Sequence, residues 1–200
     1  TLTEMINHSK SVRLGVKKSL MVVDMPYKTY VTKNQALKNA KNIIKKTKCD
    51  AVKLEGGKKI IKQIKFLIQN NIPVMGHLGL LPQSTKKFKS KGKTNKEIKQ
   101  LINDSILLQE SGVFAIVLEC IKTPIAKKIS QNLNIPTIGI GSSVHCDGQV
   151  LVTDDLIGLN QTNIKFVKKF LNVRKYINIG LRKFVSEVRS SKYPTKKHSY

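Results

Sequence analysis

Cysteine, proline and long apolar runs are all scarce in this chain, and each scarcity excludes a class of protein. The 200 residues include three cysteines, six prolines and 12 glycines, and the last two counts are too low for a disordered chain. The cysteines are odd in number and form no C-x-x-C pair, so a reduced, cytoplasmic protein is the simplest interpretation. No apolar run reaches the roughly 18 residues of a membrane span. The first residues lack the basic and then apolar pattern of a signal peptide.

Arginine is also scarce, although the chain is strongly basic. The formal net charge is +25, yet only four of the 37 basic residues are arginines. Reading bases and clamping phosphates favour the planar guanidinium over the lysine ammonium, and the lysines are spread along most of the predicted helices. We therefore interpret the charge as lysine on solvated helix faces. We expect no specific nucleic-acid partner, only salt-sensitive, non-specific binding to polyanions.

Acidic residues are few, and the positions of three of them are informative. Only 12 Asp and Glu residues occur, and Asp24, Glu55 and Glu119 each end a short apolar run. Further runs end at His77 and at Gly141. The five runs are 20–24, 51–55, 72–77, 114–119 and 135–141. Intervals of about 20 to 45 residues between their ends leave room for one helix each. This rhythm is typical of a parallel α/β barrel, whose active site lies at the carboxyl ends of the strands.

The apolar content of 40% is enough for one core, so we predict a single domain over residues 1–200 with a polar tail at 190–200. A last strand is predicted near 150–152, followed by helices at 163–171 and 174–189. The polar residues 82–95 form a loop long enough to be a lid. Six strands are visible, whereas a closed barrel has eight, and the chain opens on a helix without an initiator Met. We therefore expect that the first two strands of the barrel are missing from this sequence.

The strand ends predict metal-assisted chemistry on a keto acid. Lys53 and Glu55 project to one face because side chains alternate along a strand, next to Asp24 and Glu119 on neighbouring strands. Carboxylates with few His or Cys neighbours suit Mg²⁺ better than Zn²⁺. A divalent ion can hold a 2-oxo acid, Lys53 can neutralise its carboxylate, and a further carboxylate can take a proton from carbon.

Two plainer interpretations stay open when the residues are considered alone. One is an ion pair between Lys53 and Glu55 at the rim of the barrel. The other is a purely structural role for His77 as a hydrogen-bonded histidine at the end of a strand.

Several segments together resemble the ketopantoate hydroxymethyltransferase (3-methyl-2-oxobutanoate hydroxymethyltransferase) family. They run from end to end of the chain, and several are long enough to be highly specific. The segments are Asp24-Met-Pro-Tyr27, Val52-Lys-Leu-Glu-Gly-Gly57, Gly76-His-Leu-Gly-Leu80, Pro82-Gln-Ser84, Val117-Leu-Glu119, Ile135-Pro-Thr-Ile-Gly-Ile-Gly141, Cys146-Asp-Gly-Gln-Val-Leu-Val152 and Tyr193-Pro-Thr-Lys-Lys-His-Ser-Tyr200.

The resemblance implies a (β/α)8 TIM barrel of the phosphoenolpyruvate/pyruvate type, assembled as a homodecamer. It implies transfer of a hydroxymethyl group from 5,10-methylenetetrahydrofolate to 3-methyl-2-oxobutanoate through a Mg²⁺-stabilised enolate, giving 2-dehydropantoate for pantothenate biosynthesis. Asp24 and Glu55 resemble the family's Mg²⁺ ligands, and Asp24 and Lys53 resemble its contacts to the keto acid. Glu119 is similar to its catalytic proton acceptor, and His77 to a histidine that lines the pocket.

The chain departs from the family in three regions, one of which is Ser142-Ser143 in place of the usual Ala-Gly, and two other functions stay open. The family's amino-terminal strands carry an Asp-Ser pair that supplies another metal ligand. Asp104-Ser105 does not replace that pair, because it falls inside a predicted helix. The loop after Pro82-Gln-Ser84 is shortened and Lys-rich at residues 86–96. The alternatives are a Mg²⁺-dependent lyase of the same superfamily acting on another 2-oxo acid, and a catalytically inactive, Lys-rich barrel that binds polyanions.

Overall fold

A computed structural model describes residues 1–85, 89–161 and 163–200. Contacts divide the chain into two units, Thr1–Val150 and Leu151–Tyr200. The predicted single domain over residues 1–200 stays a prediction. None of the described helices is both long and apolar enough to cross a bilayer.

The first unit is built on a six-stranded parallel sheet whose strands follow one another in chain order. The strands are β1 (Val22–Asp24), β2 (Ala51–Glu55), β3 (Val74–Gly79), β4 (Ala115–Glu119), β5 (Thr137–Ile140) and β6 (Gly148–Gln149). A doubly wound sheet reverses its strand order at a switch point, whereas a barrel adds each strand on the same side of the last one. The predicted parallel α/β architecture is confirmed, with the strand order of a barrel.

One helix separates most consecutive strands, as the spacing predicts. The helices of this unit are α1 (Leu2–Gly15), α2 (Lys33–Thr47), α3 (Ile61–Gln69), α4 (Asn95–Glu110) and α5 (Thr123–Asn132), with a 3-10 helix at Lys58–Ile60. The side-chain oxygen of Thr32 accepts a backbone N–H in the first turn of α2, and the side-chain oxygen of Thr94 does the same for α4. Pro124 occupies the first turn of α5, where its missing N–H costs nothing.

The core lies between the helices and one face of the sheet. Leu54, Ile64, Leu108 and Ile116 are fully buried there and belong to one apolar cluster. Because side chains alternate along a strand, the neighbours of Leu54 point to the opposite face. That opposite face carries the predicted site residues.

The second unit contains α6 (Thr153–Leu156), α7 (Val173–Arg189) and a 3-10 helix at Lys196–His198 within the polar tail. The helix predicted at 174–189 is confirmed. The helix predicted at 163–171 is wrong, because those residues form turns and irregular chain. Lys165, Lys168 and Lys169 repel one another at helical spacing with no acid among them. The chain there instead donates the N–H of Phe170 to the carbonyl of Leu156 at 2.9 Å.

The last strand lies two residues earlier than predicted, at Gly148–Gln149 instead of 150–152. Asp147 explains the shift, because its Oδ2 accepts the N–H and the hydroxyl of Thr137 at 2.8 and 2.9 Å. This anchors the chain beside the first residue of β5. Pairing therefore begins with Gly148 opposite Ile138.

Candidate active site

The strand registers bring the predicted site residues to one edge of the sheet. Asp24 of β1 lies opposite Lys53 of β2, and Glu55 lies opposite His77 of β3. Glu119 lies two residues beyond the β4 partner of His77. Partners in a parallel ladder project from the same face, and so do residues two apart on one strand. All five side chains therefore share one face at the carboxyl ends of four strands.

Asp24 and Lys53 form an ion pair at this edge. The Lys53 Nζ lies 2.5 Å from Oδ1 of Asp24, and the two side chains are 15% and 36% exposed. The same Oδ1 is buried and accepts no well-directed hydrogen bond from any described residue. The pair is thus held by charge at close range, which leaves the Asp24 carboxylate able to accept a further ligand. Among the described ion pairs, Lys53 is joined to Asp24 and not to Glu55, so the suggested rim pair between Lys53 and Glu55 is not formed.

His77 links Lys53 to Glu119 through its two ring nitrogens. Its Nδ1 lies 3.1 Å from Nζ of Lys53. Its Nε2 lies 2.9 Å from the carbonyl oxygen of Leu80 and 3.3 Å from Oε2 of Glu119. An ammonium only donates and a carbonyl only accepts, so these partners assign the proton to Nε2 and leave Nδ1 as the acceptor. A neutral, buried imidazole therefore lies between a cation and a carboxylate.

Glu55 is buried in the same region but has different partners. Its Oε2 accepts the backbone N–H of Gln83 at 3.2 Å. Burial raises the pKa of Glu55 above its ordinary value, an effect that the nearby Lys53 ammonium opposes. The Tyr30 hydroxyl lies 3.4 Å from the Glu55 carbonyl oxygen, and burial raises the pKa of Tyr30 to about 12, so this hydroxyl keeps its proton.

A cavity of about 740 Å³ opens beside Glu55. Glu55 is the predicted site residue that lines it, together with residues of the loops after β1, β2 and β3 and of α4. Two of the other lining residues, neither of which was predicted as a site residue, contact neighbouring loops. In the sequence, Gln83 stood out only as part of the family-like segment Pro82-Gln-Ser84. Asp104 lies inside α4 as predicted, and its Oδ1 accepts the N–H of Lys58 at 3.2 Å, a contact that no spacing rule indicates.

The predicted lid loop, residues 82–95, is attached to the site at both described ends. Residues 86–88 lie outside the described part of the chain. Beyond them, the Lys91 N–H donates to the Cys120 carbonyl at 2.8 Å, and the Lys91 carbonyl accepts the N–H of Lys122 at 3.0 Å. This half of the loop is therefore paired with the chain that directly follows Glu119.

The donor set at the strand ends fits Mg²⁺. Asp24 and Glu55 offer carboxylate oxygens from adjacent strands, and the buried Oδ1 of Asp24, although 2.5 Å from the Lys53 ammonium, receives no well-directed hydrogen bond among the described residues. No group of three or more His, Cys, Asp or Glu side chains in residues 1–85, 89–161 and 163–200 is arranged for a metal ion. Zinc sites need three or four such ligands. Mg²⁺ commonly takes one or two carboxylates and leaves its other positions to water and substrate, so two carboxylates suffice.

Comparisons with known proteins agree over the whole chain. The family described as ketopantoate hydroxymethyltransferase matches residues 1–196. The 3-methyl-2-oxobutanoate hydroxymethyltransferase of Pelagibacter ubique (strain HTCC1062) is 64% identical over 200 residues, covering 100% of this chain and 78% of the relative. The protein of the same name from Acetivibrio thermocellus is 44% identical over 205 residues, covering 100% of this chain and 72% of the relative. A solved structure of a candidate lyase/mutase from Burkholderia cenocepacia J2315 aligns with a TM-score of 0.55 at 9% identity, over 94% of this chain and 68% of that one. The last likeness concerns the fold alone.

Proposed function

Because the chain belongs to the ketopantoate hydroxymethyltransferase family and is therefore a hydroxymethyltransferase, we propose that it transfers a hydroxymethyl group from 5,10-methylenetetrahydrofolate to 3-methyl-2-oxobutanoate. The product is 2-dehydropantoate, on the route to pantothenate. The observation that carries the proposal is the continuous contact from Asp24 through Lys53 and His77 to Glu119. It sets a cation for the substrate carboxylate close to a carboxylate that can accept a proton.

Lys53 and Asp24 bind the keto acid in this proposal. The Lys53 ammonium attracts the substrate carboxylate, and its side chain is only 15% exposed, so little water screens its charge. His77 accepts a hydrogen bond from Lys53 and thereby fixes the direction in which the ammonium points.

Glu119 is the proposed base. It accepts the proton from C3 of 3-methyl-2-oxobutanoate, and the electron pair of the broken C–H bond gives the enolate of the keto acid. The oxygen of a water molecule bonds to the methylene carbon of the folate, both C–N bonds of that carbon break, and the two water protons go to the two nitrogens, so that tetrahydrofolate and formaldehyde are formed. C3 then bonds to the formaldehyde carbon, and the formaldehyde oxygen takes the proton from Glu119 to become the hydroxyl. The N–H of His77 next to Glu119 keeps the carboxylate in place during the proton transfer.

Asp24 and Glu55 are the residues that would hold Mg²⁺. When bound there, the ion supplies Lewis-acid polarisation of the keto oxygen. Burial of Glu55 favours this role, because a buried carboxylate without a full ionic partner gains from a nearby cation.

The remaining parts of the proposal concern the whole protein. A closed eight-stranded barrel is supported by the in-order parallel sheet of this chain. Assembly as a homodecamer rests on family membership. A reducing compartment such as the cytoplasm suits three cysteines that are all free.

Deuterium exchange at C3 of 3-methyl-2-oxobutanoate, followed by proton NMR, tests this function. We expect Mg²⁺-dependent exchange in the parent protein and a loss of about 10²–10⁴-fold in Glu119→Gln, with no change in the exposed Glu110→Gln. Exchange that is as fast in Glu119→Gln as in the parent removes Glu119 as the base. Folate-independent turnover of another 2-oxo acid favours the lyase. Absence of exchange together with steeply salt-dependent polyanion binding favours the inactive barrel.

A further inference from the structure

A tight turn directly after β3 directs Gln83 toward two other strand ends. The N–H of Ser84 donates to the carbonyl of Leu81 at 3.1 Å and closes the turn. Pro82 occupies its second position, where the fixed backbone angle of proline is favoured. The N–H of Gln83 is not used by the turn and donates to Oε2 of Glu55 at 3.2 Å.

The Gln83 side chain makes two more contacts, each to a different loop. Its Nε2 donates to the carbonyl of Met25 at 3.2 Å, and Met25 directly follows Asp24. Its Oε1 accepts from the Tyr30 hydroxyl at 3.3 Å. Met25 is fully buried and its own N–H donates to the carbonyl of Lys53 at 3.0 Å, so the accepting carbonyl is fixed in the ladder.

We propose that Gln83 is a positioning residue that sets the spacing between the strand ends carrying Asp24 and Glu55. The inference rests on the proposed function, in which those two carboxylates hold Mg²⁺. Gln83 contacts the Glu55 carboxylate through its backbone N–H. Through its side chain it contacts Met25, the residue after Asp24. A ligand pair that is already spaced for the ion needs less rearrangement when the ion binds, so its affinity is higher.

The amide group is the chemical reason that glutamine serves here. The Met25 carbonyl accepts only, so the amide nitrogen must face it, and the amide oxygen is then left for the Tyr30 hydroxyl. A Glu side chain has no donor for Met25, and a Met side chain of similar length offers neither bond.

The test compares Gln83→Met with Gln100→Met. Gln100 lines the same cavity but is exposed, so it is a matched control. Titration calorimetry of the substrate-free protein measures the Kd for Mg²⁺, and the C3 exchange assay measures kcat at saturating Mg²⁺. We expect Gln83→Met to raise this Kd about tenfold, the loss typical of one or two hydrogen bonds. We expect kcat at saturating Mg²⁺ to stay within about twofold, because Glu119 and His77 keep their contacts.

A merely structural role gives a different result. It lowers the melting temperature and kcat together at every Mg²⁺ concentration, and that outcome overturns the inference. An unchanged Kd in Gln83→Met, or an equal rise in Gln100→Met, overturns it as well while leaving the proposed function intact. A parent protein that neither binds Mg²⁺ nor exchanges C3 overturns the proposed function and this inference with it.

Tyr30→Phe provides a second variant should Gln83→Met fail to fold. It removes the hydrogen bond to Oε1 from outside the turn, together with the longer contact to the Glu55 carbonyl, and keeps the aromatic ring. We expect a smaller rise in the Kd for Mg²⁺ in Tyr30→Phe alone and, where Gln83→Met also folds, a double variant whose effect is less than the product of the two single effects. No change in Tyr30→Phe, or strictly multiplicative effects, contradicts a shared positioning role.

Discussion

Nε2 of His77 lies 3.3 Å from Oε2 of Glu119 but only 2.9 Å from the carbonyl oxygen of Leu80. One N–H therefore serves two acceptors, and the shorter contact takes most of the hydrogen bond. The contact holds the Glu119 carboxylate in place, although the N–H points mainly at Leu80. A carboxylate held in this position is oriented to take a proton from carbon, which is the role proposed for it.

Replacing His77 by Gln tests whether His77 orients Lys53 and Glu119 for catalysis or only binds the Leu80 carbonyl. The amide retains a donor for Leu80 but loses the simultaneous contact with Lys53, so both Lys53 and Glu119 become less well oriented. We expect C3 exchange to slow by about ten- to 100-fold, less than in Glu119→Gln. Replacement of the exposed His145 by Gln is the control and is expected to leave the rate unchanged. An exchange rate in His77→Gln equal to that of the parent assigns His77 to structure alone.

Gly57 is a position where even one methyl group is too large. A Cβ there would lie 2.1 Å from Oδ2 of the buried Asp104, so the loop after β2 or helix α4 must shift. We expect Gly57→Ala to destabilise the fold by about 1–3 kcal/mol. Gly180 lies in the exposed helix α7 with no atom within 4 Å of its added Cβ, and Gly180→Ala is expected to stabilise by about 0.5–1 kcal/mol.

Denaturant unfolding measures both changes, and a double variant identifies their origin. Asp104→Ala removes the clashing carboxylate, so Gly57→Ala is expected to cost less in that background than in the parent. Equal costs in both backgrounds mean that the clash with Asp104 is not the cause.

Asp147 makes part of the stability depend on pH. The N–H and the hydroxyl of Thr137 lower the pKa of Asp147 below its ordinary value. A folded pKa below the unfolded one means that the contribution is fully present above about pH 4, the ordinary Asp value, and is lost as the pH falls through the folded pKa.

We expect Asp147→Asn to be less stable near pH 7 by at most about 1 kcal/mol, because the group is solvent-exposed and screened. The difference from the parent should disappear near pH 2. Thermal unfolding between pH 7 and pH 2 measures this, with the exposed Asp154→Asn as the control. A constant difference across that range contradicts the assignment.

Cys120, the residue after Glu119, is expected to react slowly with alkylating agents. Burial and then the Glu119 charge raise the pKa of Cys120 to about 11, so almost no thiolate is present at pH 8. We expect iodoacetamide to label it at least about 100-fold more slowly than a free cysteine. Glu119→Gln removes the repelling charge and should speed labelling, as followed by mass spectrometry of the Cys120 peptide. Unchanged labelling in that variant contradicts a charged Glu119 beside the thiol.

The sequence could predict where the site residues lie because they end apolar runs. Asp24, Glu55 and Glu119 follow buried strands, and the ends of parallel strands meet at one edge whatever the details of packing. The contacts between those residues were harder to foresee. The pairing of Lys53 with Asp24 instead of Glu55 depends on the register between two strands, which periodicity does not give.

Other features depend on groups that carry no sequence signal. The carbonyl of Leu80 settles the tautomer of His77, and any residue at that position offers the same carbonyl. The contact of Asp104 with the loop at Gly57 depends on how α4 packs against the sheet. Residues 163–171 show the apolar spacing of an amphipathic helix but do not form one. Such spacing does not by itself supply a surface against which the apolar side can pack.

Strand order also has a consequence for how the enzyme acquires activity. Asp24 and Glu119 lie on β1 and β4, with two parallel strands between them, and parallel pairings between distant segments form late. We expect helices to form early during refolding, and the proposed reactive centre to form only after four consecutive strands have docked. We therefore expect a chain interrupted along that sequence of docking steps to contain helices and yet to lack the proposed C3 exchange.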